Sequence, residues 1–225
     1  MNKKYLLIIP ICMLFNFCKT KTKEEKFWVW FSKNNSIYYN QFLGTDSTSP
    51  LYQKLNTELT KVNKELTWEF SPVMENGIRE ITISADGIKE FFPAVESLVQ
   101  AAPEISNWKI NAFRQRIPGD DIRINYGDFS ISYSDIFFKY ADEGEKIGIE
   151  LYIKDFEKNG HKQNAIYILL DGLIGEYDTE TTIGWIDWKK LNESETDFLF
   201  KFYELRELVD RKKNERKSIN NNDYK

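Results

Sequence analysis

Thr67-Trp68-Glu69-Phe70-Ser71-Pro72-Val73-Met74-Glu75-Asn76-Gly77-Ile78-Arg79-Glu80-Ile81-Thr82-Ile83-Ser84-Ala85 is the stretch that decides the fold class. Trp68 and Phe70 alternate with polar neighbours, and so do Ile81 and Ile83. That is the period-two pattern of strands with one face buried. Asn76-Gly77 lies between the two runs and favours the left-handed dihedrals of a tight turn. The spacing predicts a hairpin, with strands over 67–74 and 78–85.

Outward from this hairpin the pattern switches between helical and strand periods. Upstream, Leu51, Leu55, Leu59, Val62 and Leu66 recur as one apolar stripe, and Ser49-Pro50 fits a helix start. Before a polar loop from Gly44 to Pro50, Phe27, Trp28, Trp30, Phe31, Ile37, Tyr38 and Phe42 suggest an aromatic helix. A break is expected in it near Asn34-Asn35-Ser36. Phe27, Trp30 and Phe31 share one helical face, so these are expected to be buried and Trp28 to be the more exposed ring.

Downstream, Phe91, Phe92, Val95, Leu98 and Val99 mark a helix between Pro93 and Pro103. Trp108, Ile110 and Ala112 alternate, then Ile122, Ile124 and Tyr126, with Gly127-Asp128 turning into Phe129 and Ile131. Phe138 and Tyr140 follow. Ile147, Ile149, Leu151 and Ile153 then alternate without a fault. Ile166, Leu169, Leu170, Leu173 and Ile174 form a further helix that Gly175 ends. A strand over 182–188 comes next, and Ser194 to Asp197 resembles a capping box opening a last helix. The expected architecture is α+β: two layers, with helices packed on one face of a mainly antiparallel sheet. It is expected as a single domain over 27–210 with a polar tail over 211–225.

Met1-Asn2-Lys3-Lys4 is a positive head, and Tyr5 to Phe17 is nearly all apolar. A charged head before roughly 7–15 apolar residues is the pattern of an export signal. The run falls short of the roughly 20 residues that span a bilayer. Cys18 ends it, so residues 1–18 resemble a bacterial lipoprotein signal in which Cys18 receives the lipid, with 19–26 as a tether. Asn16 and Phe17 stand where such signals carry small residues, and an uncleaved N-terminal membrane anchor is the alternative. The expected location is the cell envelope, with a membrane reached through the lipid.

Composition excludes several chemistries. Both cysteines lie in the first 18 residues and His161 is the only histidine. A Ser-His-Asp or Cys-His catalytic set and multi-His metal sites are thereby disfavoured, and no cofactor is expected. His161 itself reads as a solvated residue at a helix start. The net charge of -4, with no basic block beyond the tether, makes nucleic acid a poor partner.

Gly175-Glu176-Tyr177-Asp178-Thr179-Glu180-Thr181 is the most suggestive stretch. Its carboxylates Glu176, Asp178 and Glu180 could hold a hard cation or act as an acid/base pair in glycoside chemistry. Placed after a helix C-terminus, however, they would be repelled by its dipole, which favours a solvated turn. Arg114 and Arg116 put two guanidiniums at a strand end, suited to a carboxylate or phosphate and equally to surface ion pairs. Ser84-Ala85-Asp86-Gly87 could be a ligand-binding turn, with Asp86 a helix cap as the plainer reading.

Phe27-Trp28-Val29-Trp30-Phe31 with Asn34, the run from Ile83 to Val95, Ala112-Phe113-Arg114, Leu169-Leu170-Asp171, Gly175 to Glu180 and Ile183-Gly184 together resemble a family of uncharacterised bacterial domains. The resemblance covers residues 25–190. It implies one folded module and carries no activity or site residue. The expected function is that of a non-catalytic binding module whose protein or small-molecule partner is open. A carboxylate-dependent hydrolase is the alternative.

Overall fold

The computed structural model describes residues 20–41, 47–157 and 160–222. The export segment, Cys18 and Phe42 lie outside them, as do residues 44–46 of the Gly44 to Pro50 loop. Among the described residues no helix is long and apolar enough to cross a membrane.

The fold is α+β, as expected, but its strands form three sheets around two separate cores. In the first half, α1 (Lys23–Asn40), α2 (Pro50–Thr60) and α3 (Phe92–Gln100) cover one face of a sheet ordered β1-β2-β3. Its strands are β1 (Thr67–Phe70), β2 (Arg79–Ser84) and β3 (Trp108–Ala112). β1 and β2 pair antiparallel with Trp68 opposite Ile83 and Phe70 opposite Ile81, the register the alternation predicts. β3 instead runs parallel to β2, because α3 carries the chain back across the sheet.

The hairpin turn is tighter in chemistry than in length. Gly77 N–H donates to Met74 O at 2.9 Å and Met74 N–H to Ile78 O at 2.8 Å. Gly77 alone is left-handed there, with φ 73°, while Asn76 uses its side chain to accept from Ile78 N–H. A branched side chain at that dihedral is strained, so Gly77→Val is expected to lower stability by about 1–2 kcal/mol in urea unfolding. An unchanged midpoint would remove the turn assignment.

Three expectations about the first half are corrected. α1 is unbroken, because Asn34 and Asn35 donate side-chain bonds back to Trp30 O and Ser32 O instead of ending the helix. It also begins within the expected tether: Thr22 and Glu25 form a capping box at its start. Trp28 is buried and Trp30 is the partly exposed ring, because α1 is covered over a wider arc than one stripe. Trp28 Nε1 reaches Leu98 O at 2.6 Å, at the end of α3, while Phe31 meets Trp108 of the sheet. The N-terminal aromatics are therefore core, and none of Phe27, Trp28 and Phe31 is free to stack a ligand. Arg79 is buried as well, donating to Tyr38 O, Tyr39 O and Gln41 O, and thus closes the C-terminus of α1.

The second half packs a sheet ordered β8-β7-β6-β9 beside a small hairpin. The hairpin is β4 (Arg123–Tyr126) with β5 (Phe129–Ser132). The sheet strands are β6 (Ile136–Asp142), β7 (Ile147–Ile153), β8 (Ile183–Lys190) and β9 (Phe200–Lys201). Ile147, Ile149, Leu151 and Ile153 turn inward together with α4 (Gly160–Ile174) and α6 (Leu205–Asn222). β7 and β8 are parallel, joined through α4 and α5 (Glu176–Thr182). The last helix starts at Leu205, later than the Ser194 to Asp197 motif suggested. That motif instead makes a short 3-10 turn capped by Asn192. α6 then runs through the segment that read as a polar tail, since Lys212 pairs with Asp142 and Lys213 with Asp178.

Candidate functional site

The two halves meet at the carboxylate stretch, and its structure overturns the solvated-turn reading. Gly175, left-handed at φ 88°, ends α4 and at once becomes the N-cap of α5. Glu176 and Asp178 thus lie in the first turn of a helix, where its dipole attracts them instead of repelling them. Both are buried, with Glu176 at 0% exposure.

Glu176 inserts into the turn that follows β2. Its Oε1 accepts from Ser84 Oγ at 2.9 Å, Ala85 N–H at 3.2 Å and Gly87 N–H at 3.1 Å. Its Oε2 accepts from Arg114 N–H at 3.0 Å. Left-handed dihedrals at Asp86 and Gly87 aim these amides inward, and Phe113, also left-handed, aims Arg114 N–H at the same carboxylate. Ser84 to Gly87 is therefore an anion-binding turn whose occupant comes from its own chain. Asp86 is not a helix cap; it pairs with the Arg114 guanidinium.

Arg114 links the halves. Besides Asp86 it meets Glu69 Oε1 at 2.5 Å, Asp171 Oδ2 at 3.7 Å and Glu176 Oε2 at 4.0 Å. Burial works against its charge, and Glu69 and Asp86 more than offset this, so its pKa lies above the ordinary arginine value. Arg116 faces elsewhere. It donates to Ile174 O and pairs with Asp178 and Asp210, while Lys213 joins Asp178 at 2.6 Å. The acids around both arginines come from distant positions in the chain. The pairs with Glu69, Asp86 and Asp210 lie on the surface, as expected, and those with Asp171, Glu176 and Asp178 are partly buried.

Of the five candidate residues, then, Glu176 joins Arg114 and Asp178 joins Arg116, all in contacts between elements. Glu180 goes its own way. Its carboxylate lies against Gly87, where a Cβ would come within 3.2 Å of Oε1, and it lines a cleft of about 940 Å³. The outer face of the first sheet (Glu69, Glu80, Thr82) forms one wall of that cleft, and α4 forms another. Asn164, Tyr167, Ile168 and Asp171 lie there at i, i+3, i+4 and i+7, one helical face.

Asp171 is the residue that sequence reasoning passed over. Burial, followed by the Glu176 charge, pushes its carboxyl up to about 7, against the pull of Arg114 and a bond from Thr179. Glu180 is also raised, by burial and then by Glu176. The available signal was a lone acid inside Leu169-Leu170-Asp171-Gly172-Leu173-Ile174, where an apolar face would be expected. Among the described residues no group of three or more His, Cys, Asp or Glu side chains is placed to hold a metal ion. His161 is exposed at the start of α4.

Comparison with protein-family models, curated proteins and solved structures finds no match for this chain.

Proposed function

We propose that this chain is an exported, lipid-anchored envelope protein whose folded part is a non-catalytic binding module, with its ligand site in the cleft beside Arg114 and Asp171. The observation behind the binding reading is Asp171: a largely buried carboxyl, 14% exposed, kept on a cleft wall at an electrostatic cost. Such perturbed groups in clefts are candidate functional residues. A thermal-shift panel of neutral, anionic and cationic small molecules tests the reading. A stabilising compound whose effect disappears in Asp171→Asn is the expected result, and a panel without any such compound counts against it.

The anchor rests on the cationic head, the short apolar run and Cys18 at its end. Cells fed a clickable fatty acid are expected to label the protein, and Cys18→Ser is expected to abolish the label. Equal label in both proteins sinks the anchor, and recovery of intact Met1 favours the uncleaved alternative. The likeness of residues 25–190 to uncharacterised bacterial domains stands beside this reading as a proposal of the same rank.

One observation favours the hydrolase reading: Asp171 and Glu180 line one cleft, and burial raises both carboxyls above their ordinary values. A protonated acid beside a second carboxyl is the pairing that glycoside hydrolysis uses. Glu176 and Asp178 drop out, since Glu176 is engaged between the halves and Asp178 by Arg116 and Lys213. Release of an aryl alcohol from aryl glycosides, lost in Asp171→Asn, would support hydrolysis; no turnover above buffer removes it.

A further inference from the structure

The charge balance of the cleft identifies the class of molecule it would hold. Five carboxyls line it, from Glu69, Glu80, Asp86, Asp171 and Glu180, against the guanidiniums of Arg114 and Arg116. Of the two, Arg114 reaches the α4 wall of the cleft, through Asp171 at 3.7 Å. Arg116 is bound by Asp178 and Asp210. Arg114 is shared by Glu69, Asp86, Asp171 and the buried Glu176. Glu80 has its own partners in Lys109 and Asn111. Among the described residues Glu180 makes no ion pair within 4.0 Å, and Lys89 and Lys146 act on it from further away. Asp171 has only its share of Arg114, so the excess negative charge of the lining is least compensated at these two carboxyls.

The remaining surface is aromatic and aliphatic. Tyr167 and Ile168 are 40% and 47% exposed on the cleft face of α4, and Tyr126 also lines the cleft. Tyrosine ring faces attract cations. The carboxyls are distributed along the cleft, and no three of them are gathered as a metal ion requires. A volume of about 940 Å³ lies within the range that small-molecule sites span.

We infer that the cleft binds a small organic cation, an amine or guanidinium on an apolar body, with its charge between Asp171 and Glu180 and its body over Tyr167 and Ile168. This deepens the binding-module reading and rests on it. Calorimetric titration at about pH 8, where Asp171 is ionised, compares putrescine, agmatine and phenethylamine with their uncharged counterparts butanediol and phenylethanol. The amines are expected to bind and the alcohols are not. Asp171→Asn and Glu180→Gln are each expected to weaken the amines by about tenfold or more. Both variants are near-isosteric, and an unchanged far-UV spectrum shows that they remain folded. If the alcohols bind as tightly as the amines, and Tyr167→Ala weakens both, the cation assignment falls while the binding reading stands. If neither series binds, the cation assignment falls. Amine affinity that survives the double variant also overturns it.

Discussion

Glu176→Ala is expected to cost about 3–5 kcal/mol of stability, the range seen when one partner of a buried, hydrogen-bonded charge is removed. The substitution strips the acceptor from Ser84 Oγ and from three backbone N–H groups, those of Ala85, Gly87 and Arg114. Each buried donor left unpaired costs about 1–3 kcal/mol, although water entering the gap recovers part of that. It also leaves Arg114 with one carboxylate fewer. Because this carboxylate from α5 is held by the turn after β2, the loss falls on the joint between the two cores. Denaturant unfolding followed by tryptophan fluorescence measures it, since Trp28, Trp68 and Trp108 belong to the first core and Trp188 packs against the second. Glu176→Gln keeps the shape and one acceptor oxygen, so it is expected to cost less than the alanine. A penalty under about 1 kcal/mol for the alanine would mean that the joint is held elsewhere.

Asp171→Asn is expected to do the opposite and stabilise the protein above neutral pH. The carboxyl titrates near 7 in the folded chain against 3.8 as its ordinary value. The native state therefore holds a proton there that the unfolded chain has released. Between those two values stability falls as pH rises, and the cost is fully present above about pH 7. At about 1.4 kcal/mol per pH unit between those values it amounts to about 4 kcal/mol for a group this well buried. Asparagine has no charge to bury, so the variant is expected to gain on the order of 1–3 kcal/mol at about pH 8 and little near pH 5. Glu180, raised in the same direction, adds a smaller slope of the same sign in both proteins. Melting curves across that pH range decide the matter. Parallel profiles for wild type and variant would show that Asp171 is not the titrating group. A stabilising change on a cleft wall is also what a residue kept for binding, at the expense of stability, would produce.

Local structure was largely legible in the sequence because it depends on near neighbours. The hairpin register followed from the alternation of Trp68, Phe70, Ile81 and Ile83 around Gly77. The inward face of β7 followed from its isoleucines and Leu151, and Pro50 correctly opened α2. The capping box of Thr22 and Glu25 went unread, because the charged segment around it reads as a tether.

What sequence periodicity lacked was any account of what packs against what. Trp28 is buried because α3 reaches it from a second side, which the single-stripe reading of α1 does not anticipate. The parallel pairing of β3 to β2, and the division into three sheets, depend on how crossovers return through α3, α4 and α5.

The site shows the same limit most sharply. Glu176, Asp178 and Glu180 are neighbours in sequence, yet the α5 helix sends each to a different place. Glu176 enters the Ser84 to Gly87 turn, Asp178 goes to Arg116 and Lys213, and Glu180 lines the cleft. Asp171, unremarkable in a helix of leucines, becomes the perturbed carboxyl only because folding buries it beside Glu176. The sequence by itself determined most of the strands and helices, though not α5 or the extents of α1 and α6, and which chemistries lack residues to perform them. Only tertiary structure decided the role of each carboxylate, because burial and the distance to other charges arise once the two cores come together.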